Sequence, residues 1–175
     1  MKFSTNVASI AIAMAVLAGC APEVKEDPAV NAMRAAAESE AQMVAAMATL
    51  IDAWNTGNTD SLDAIAVADY QRRAPDQNAD NLDELKAFIA EIHTVYPDFQ
   101  ITNDGSAAGP DGGFIQWTVT GTDAGSKNAT GKALKATGIS RYQFVDGKIA
   151  SELVVFDTGS VMTQLETDTL PRAEE

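Results

Sequence analysis

The stretch LKATGISRYQFV-DG-KIASELVVF, residues 134–156, decides the fold. Leu134 to Val145 reads as a long strand. Asp146-Gly147 is a two-residue hairpin signal, and Ile149 to Phe156 is the returning strand. Working back from this hairpin, Phe114 to Thr122 is rich in β-branched and aromatic residues, and Gly109-Pro110-Asp111-Gly112-Gly113 before it is a turn. Phe99 and Ile101 mark one more strand upstream. Ser160 to Leu165 predicts a final helical turn.

Before Pro97 the apolar period changes from two to between three and four. Ala29 to Asn55 has neither Gly nor Pro, and Met43, Met47, Leu50, Ile51 and Trp54 fall on one face of a helix stopped by Gly57. Thr59 is positioned to cap a short second helix carrying Leu62, Ile65 and Ala66. Tyr70 to Asp80, with Pro75, reads as a loop. Asn81-Leu82-Asp83-Glu84 has the form of a capping box that opens a third helix with Leu85, Phe88, Ile89 and Ile92 inward. The expected fold class is therefore α+β: three N-terminal helices packed on a curved antiparallel sheet of at least four strands.

Charge and length narrow the function. The chain has 175 residues and 25 acidic against 12 basic side chains, a formal net charge of −13. Nucleic acid is excluded as a partner, because phosphate binding needs clustered Lys and Arg. One cysteine and one histidine leave no set for a Cys- or His-based metal site, and the acidic runs near Asp80–Glu84 and Asp104–Asp111 lack calcium-loop spacing. No phosphate loop, Ser/His/Asp set or dinucleotide fingerprint is present, so no metal and no cofactor is expected.

The N-terminus reads as an address. Lys2 is followed by an apolar stretch from Val7 to Ala18, too short to span a bilayer core that needs about 20 residues. Leu17-Ala18-Gly19-Cys20 resembles a bacterial lipobox, which implies a diacylated Cys20. The expected organisation is a signal peptide at 1–19, a lipidated tether at 20–28, a domain at 29–170 and a tail at 171–175. A chain starting at Cys20 keeps 11 basic and 25 acidic residues. It would be held in the bacterial cell envelope by its lipid, with Ala21 favouring the outer membrane of a Gram-negative host.

Several features in order resemble the SnoaL-like polyketide cyclase group of the nuclear-transport-factor-2-like superfamily. They are Trp54-Asn55-Thr56-Gly57-Asn58 followed by Leu62, Leu85 to Ile89 leading into Tyr96-Pro97-Asp98-Phe99, and Thr118-Val119-Thr120-Gly121-Thr122. They continue with Gly131-Lys132, Gly138-Ile139, Arg141 to Phe144 and Asp146 to Ile149, then Glu152 to Asp157 and Gln164-Leu165. The resemblance spans about residues 42 to 166. It implies a cone with an apolar cavity, a cofactor-free cyclase or isomerase acting on a small apolar carbonyl compound, and one aspartate near the end of the last strand as general acid/base. Asp157 matches that aspartate, and it is equally placed to cap the helix beginning near Gly159. Two family histidine positions hold Arg72 or Arg73 and Asp123 instead.

Trp54, Tyr70, Phe88, Trp117 and Tyr142 are candidate ligand-binding residues, each also an ordinary core residue by type. His93, bordering the apolar face of the third helix, is either structural or a proton carrier in the pocket. Arg141 shares a sheet face with Ile139 and Gln143, either exposed or paired with Glu152 across the hairpin, the pair being expected. Besides the enzyme, the readings are a membrane-tethered module that binds a hydrophobic small molecule and a protein-interaction domain. In the last, the outer sheet face meets a partner, a second copy of this chain included.

Overall fold

The computed structural model describes residues 27–173. The lipobox, Cys20 and most of the tether therefore lie outside the described residues. No helix among the described residues is long and apolar enough to cross a membrane.

Helix α1 spans Pro28–Thr56. Asp27 caps it by accepting from the Ala29 N–H at 2.9 Å, and Pro28 sits in the first turn, where its missing N–H costs nothing. Gly57 closes it with a left-handed φ of 71°, donating its N–H to the Ala53 carbonyl. Residues 28–42 are exposed on every side, so only the second half packs, through Met43, Ala46, Met47, Leu50, Ala53 and Trp54. The Asn55 side chain extends this contact. Its amide accepts from Ile101 N–H at 2.6 Å and donates to Ile101 O at 2.9 Å, pairing with the backbone like a short piece of strand.

Helix α2 is a single turn, Leu62–Ile65. Thr59 does not cap it; the turn is entered through Ser61, which makes no side-chain capping bond. The Thr59 carbonyl instead accepts from Leu62 N–H within the preceding tight turn. Strand β1 then covers Ala66–Arg73, occupying the first part of the segment expected to be a loop. The sequence Ala-Val-Ala-Asp-Tyr-Gln-Arg-Arg hides this strand. Its Ala, Asp and Arg are poor strand formers, and the strand exists because β5 pairs with it.

Helix α3 spans Leu82–Val95. Asn81 Oδ1 accepts from Glu84 N–H at 2.9 Å, and Glu84 reaches back to the Asp80 N–H at 2.8 Å, one residue beyond the expected partner. Strands β2 (Gln100–Gly109), β3 (Gly112–Thr122), β4 (Ala133–Val145) and β5 (Lys148–Phe156) follow, and α4 (Thr158–Leu165) ends the fold. Gln164 fixes α4 to the sheet by exchanging two hydrogen bonds with the Lys135 backbone, at 2.9 and 3.0 Å.

The sheet order is β1-β5-β4-β3-β2. Its four C-terminal strands are antiparallel neighbours, whereas β1 lies parallel to β5 at one edge. The helices cover the inner face. The outer face leaves Phe114, Ile139, Leu153 and Val155 about half exposed on β3, β4 and β5.

One irregularity decides which residues face inward. A two-residue turn at Asp146-Gly147 pairs Val145 with Lys148 and, without a break, would pair Arg141 with Glu152. The register shifts between Phe144 and Gln143, which leaves Ala150 unpaired and sets Tyr142 opposite Glu152. A shift of one residue turns a side chain to the other face. The expected Arg141–Glu152 pair is therefore absent. Arg141 is exposed opposite Leu153, and Glu152 is 5% exposed on the inner face.

Candidate active site

The inner face of the sheet, α1, α3 and residues 170–172 line a cavity, open to solvent on one side, of about 120 Å³ measured to water-molecule centres. One water needs only about 10–15 Å³ on that measure, so the space suits an organic ligand. Most of the wall is apolar, with Trp54, Phe88, Phe99, Trp117, Leu134, Val154 and Phe156 prominent. The polar groups on it come from Arg72, Asp76, Glu91, Tyr96, Ser140, Tyr142, Glu152 and Arg172.

Glu152 is the hub of these groups. Register places Arg72, Glu152 and Tyr142 in one row across β1, β5 and β4. Tyr70 donates to Glu152 Oε2 at 2.7 Å, and Tyr142 donates to Oε1 at 3.0 Å. Behind Tyr142, Trp117 Nε1 donates to Ser140 Oγ at 3.0 Å. Burial first, then the Glu152 charge, pushes the Tyr70 and Tyr142 phenols well above their ordinary pKa, which keeps both as donors.

Arg72, 5% exposed, packs beside the edge-to-face pair of Trp54 and Phe88, its guanidinium carbon 5.7 Å from the Trp54 centroid and 5.2 Å from that of Phe88. It meets Asp76 through two bonds, of 2.9 and 3.1 Å, and donates to the Gln77 carbonyl. Burial opposes its charge, but Asp76 and Glu152 outweigh that and raise its pKa further. Its Nε stands 3.7 Å from Glu152 Oε2, beyond hydrogen-bond reach. Toward the chain end, Arg172 stacks over Phe88 at 5.8 Å and bonds to Gln77 and Glu91. Thus Pro171 and Arg172, assigned to the tail in the sequence reading, line the cavity.

Gly138 makes the Trp117 contact available. A β-carbon there would fall 2.4 and 2.5 Å from two Trp117 ring atoms, so the indole lies directly over the glycine, its partner across β3 and β4. Gly138→Ala is expected to push the indole off Ser140 and to cost about 1–3 kcal/mol. Urea unfolding, together with a blue- or red-shifted tryptophan emission, checks this.

The sequence profile of the family described as "SnoaL-like domain" matches residues 47–152 of this chain. The chain belongs to the SnoaL-like domain family. Solved structures agree in fold. A protein assigned as a SnoaL-like polyketide cyclase from Jannaschia sp. CCS1 superposes with a TM-score of 0.64 at 17% identity, covering 72% of this chain and 92% of its own. TsrD from Streptomyces laurentii gives 0.64 at 22% identity over 71% and 95%. A protein with a ketosteroid isomerase-like fold from Catenulispora acidiphila, solved with trimethylamine, gives 0.60 at 14% over 70% and 92%. No curated protein sequence is significantly similar to this chain.

Of the ligand-binding residues expected from sequence, this SnoaL-like cavity is lined by Trp54, Phe88, Trp117 and Tyr142. Tyr70 is fully buried behind it and touches the site through Glu152. His93 is elsewhere: its Nε2 donates to the Trp54 carbonyl at 2.8 Å and its ring packs against Gly57. Asp157 is the exposed N-cap of α4, accepting from Ser160 N–H at 3.0 Å, and is not on the cavity wall. It shares the parity of Leu153 and Val155, which face outward. Asp123, at a family histidine position, is buried in the β3–β4 connection. Burial opposes its ionisation, yet hydrogen bonds from Ser126 and Thr130 hold its pKa below the ordinary value. Among the described residues no group of side chains is arranged to hold a metal ion.

Sequence reasoning missed Glu152 as a site residue, along with Ser140, Asp76 and Arg172. Arg72 was visible only as a departure from the family pattern.

Proposed function

We propose that this SnoaL-like domain is a cofactor-free proton-transfer catalyst of the cyclase or isomerase type. Its substrate is a small, largely apolar carbonyl compound held in the cavity, and Glu152 is its general acid/base. The observation that carries this reading is the Glu152 carboxylate, set in an apolar wall with both oxygens oriented by phenols. A Glu152 oxygen takes the proton from the carbon next to the carbonyl, leaving an enolate. In a cyclisation that carbon bonds to a second carbonyl carbon of the same molecule, and the resulting alkoxide takes the proton back from Glu152. In an isomerisation the proton returns to a different carbon. Neither route needs a redox partner, and positioned acid/base groups contribute about 10²–10⁴ in rate.

One observation favours a second reading, a binder without chemistry. Both Glu152 oxygens already accept phenol hydrogen bonds, so each has a lone pair committed before any substrate arrives. Proton NMR in D₂O separates the two, following deuterium uptake by a panel of apolar ketones, cyclic enones and β-diketones. The enzyme reading expects wild-type protein to speed exchange, Glu152→Gln to lose about 10²-fold or more, and Asp157→Asn, which still caps α4, to keep it. Loss in Asp157→Asn with exchange retained in Glu152→Gln would return the role to Asp157. No exchange with any compound that binds would favour the binder.

A further inference from the structure

We propose that Arg72 Nε and Glu152 Oε2 form a subsite for one neutral oxygen of the ligand, a carbonyl or the hydroxyl of an enol or phenol, and that this subsite rejects carboxylates. The inference deepens the proton-transfer reading by naming the head group of its substrate. It rests on that reading for its chemistry but not for the binding itself.

Three observations converge. Arg72 is buried, and its Nε–H has no hydrogen-bond acceptor among the described residues, although each of its other two nitrogens is bonded, Nη1 to Asp76 and Gln77 and Nη2 to Asp76. A buried guanidinium N–H without an acceptor is costly, and the bonds to Asp76 and Gln77 hold the plane so that it cannot turn to find one. The acceptor that fits must enter from the cavity that Arg72 and Glu152 both line.

Charge selects what enters. Arg72 is neutralised by its two-bonded pair with Asp76, and Glu152 adds a further negative charge 3.7 Å from Nε. Arg172 is taken by Glu91. A second carboxylate would face an excess of negative charge in a poorly solvated wall, whereas a neutral oxygen accepts from Nε without that repulsion.

Distance selects its chemistry. Ordinary C=O and C–C lengths put a carbonyl oxygen about 2.4 Å from the adjacent carbon. With the oxygen at about 2.9 Å from Nε, the 3.7 Å between Nε and Oε2 allows that carbon to lie roughly 3–3.5 Å from Glu152 Oε2, a near-attack separation. When Glu152 takes the proton, the electron pair of the C–H bond moves into the new C=C bond and the carbonyl π pair to oxygen, where the Arg72 N–H meets the developing charge. An enol or phenol fits the same gap by accepting from Nε and donating to Oε2.

The test is calorimetric titration of the full chain at neutral pH with 2-naphthol and 2-naphthoate, which share rings and differ in the charge of the head. The subsite expects 2-naphthol to bind and 2-naphthoate to bind at least about 10-fold more weakly. Arg72→Lys keeps the charge but has no N–H at the Nε position, and should weaken 2-naphthol by about 10-fold or more. Asp76→Asn removes one of the two carboxylates beside the guanidinium and should narrow or reverse the preference against 2-naphthoate. Tighter or equal binding of 2-naphthoate by wild type overturns the proposal, as does unchanged 2-naphthol affinity in a folded Arg72→Lys. If Arg72→Lys fails to fold, the wild-type preference and the Asp76→Asn shift decide. Selective 2-naphthol binding without deuterium exchange sustains the subsite and sinks the enzyme reading alone.

Discussion

Glu152→Ala is expected to lose about 3–5 kcal/mol of stability, the cost of leaving buried partners of a carboxylate without it. The substitution removes the acceptor of two fully enclosed phenols, Tyr70 and Tyr142, and one of the two negative charges beside Arg72. Domains are stable by about 5–15 kcal/mol in total, so this is a large share. Glu152→Gln keeps one acceptor oxygen and should lose less. Tyr70→Phe and Tyr142→Phe each take one donor from the buried carboxylate and should cost about 1.5–3 kcal/mol. Combined with Glu152→Ala, either phenylalanine should cost less than the sum, because the orphaned hydroxyl is then gone. Urea denaturation of the singles and doubles measures this. A loss below about 1 kcal/mol for Glu152→Ala, or strict additivity, would show that the row across β1, β5 and β4 is not a coupled network.

The same residue shows how far the sequence can be read. Long elements with a strong period were legible: α1, α3, and the β3, β4 and β5 strands lie within a few residues of their expected bounds. These elements have caps, turn residues and periods that all agree. β1 was not legible, because its residues do not favour a strand and its partner β5 lies some eighty residues downstream. The site fell in that same gap. Four of its aromatic residues were foreseeable from type and helical face. Its charged centre depended on one unpaired residue, Ala150, in a segment where Leu153 to Phe156 are all apolar and give no parity. Read without the bulge, Glu152 belongs outside with Arg141. Read with it, Glu152 belongs beside Tyr142 and Arg72. Asp157 drew attention because it follows an apolar run, but the strand ends there and its carboxylate serves the next helix.

Alkaline titration provides the second large effect. The protein has three tyrosines, and all three phenols are shifted upward: Tyr70 and Tyr142 by burial and the Glu152 charge, and Tyr96 by burial with Asp123 and Asp76 adding. In the unfolded chain a phenol releases its proton near its ordinary pKa of about 10. The folded state holds it to higher pH, so above about pH 10 the native state binds more protons than the unfolded one and stability falls as pH rises. The contribution is complete below pH 10. It declines by about 1.4 kcal/mol per pH unit above it for each phenol still protonated in the fold, so about 2.7 from Tyr70 and Tyr142 together and about 4.1 while Tyr96 also keeps its proton. Near-ultraviolet absorbance should therefore show almost no tyrosinate while the fold persists, then the ionisation of all three phenols in one step that coincides with loss of circular dichroism. Tyr70→Phe should flatten the decline by about 1.4 kcal/mol per pH unit. Gradual ionisation centred near pH 10 with the circular dichroism intact would mean that these phenols reach solvent. The hydrogen-bonded row holding Glu152 in the cavity wall would then have to open in the native state.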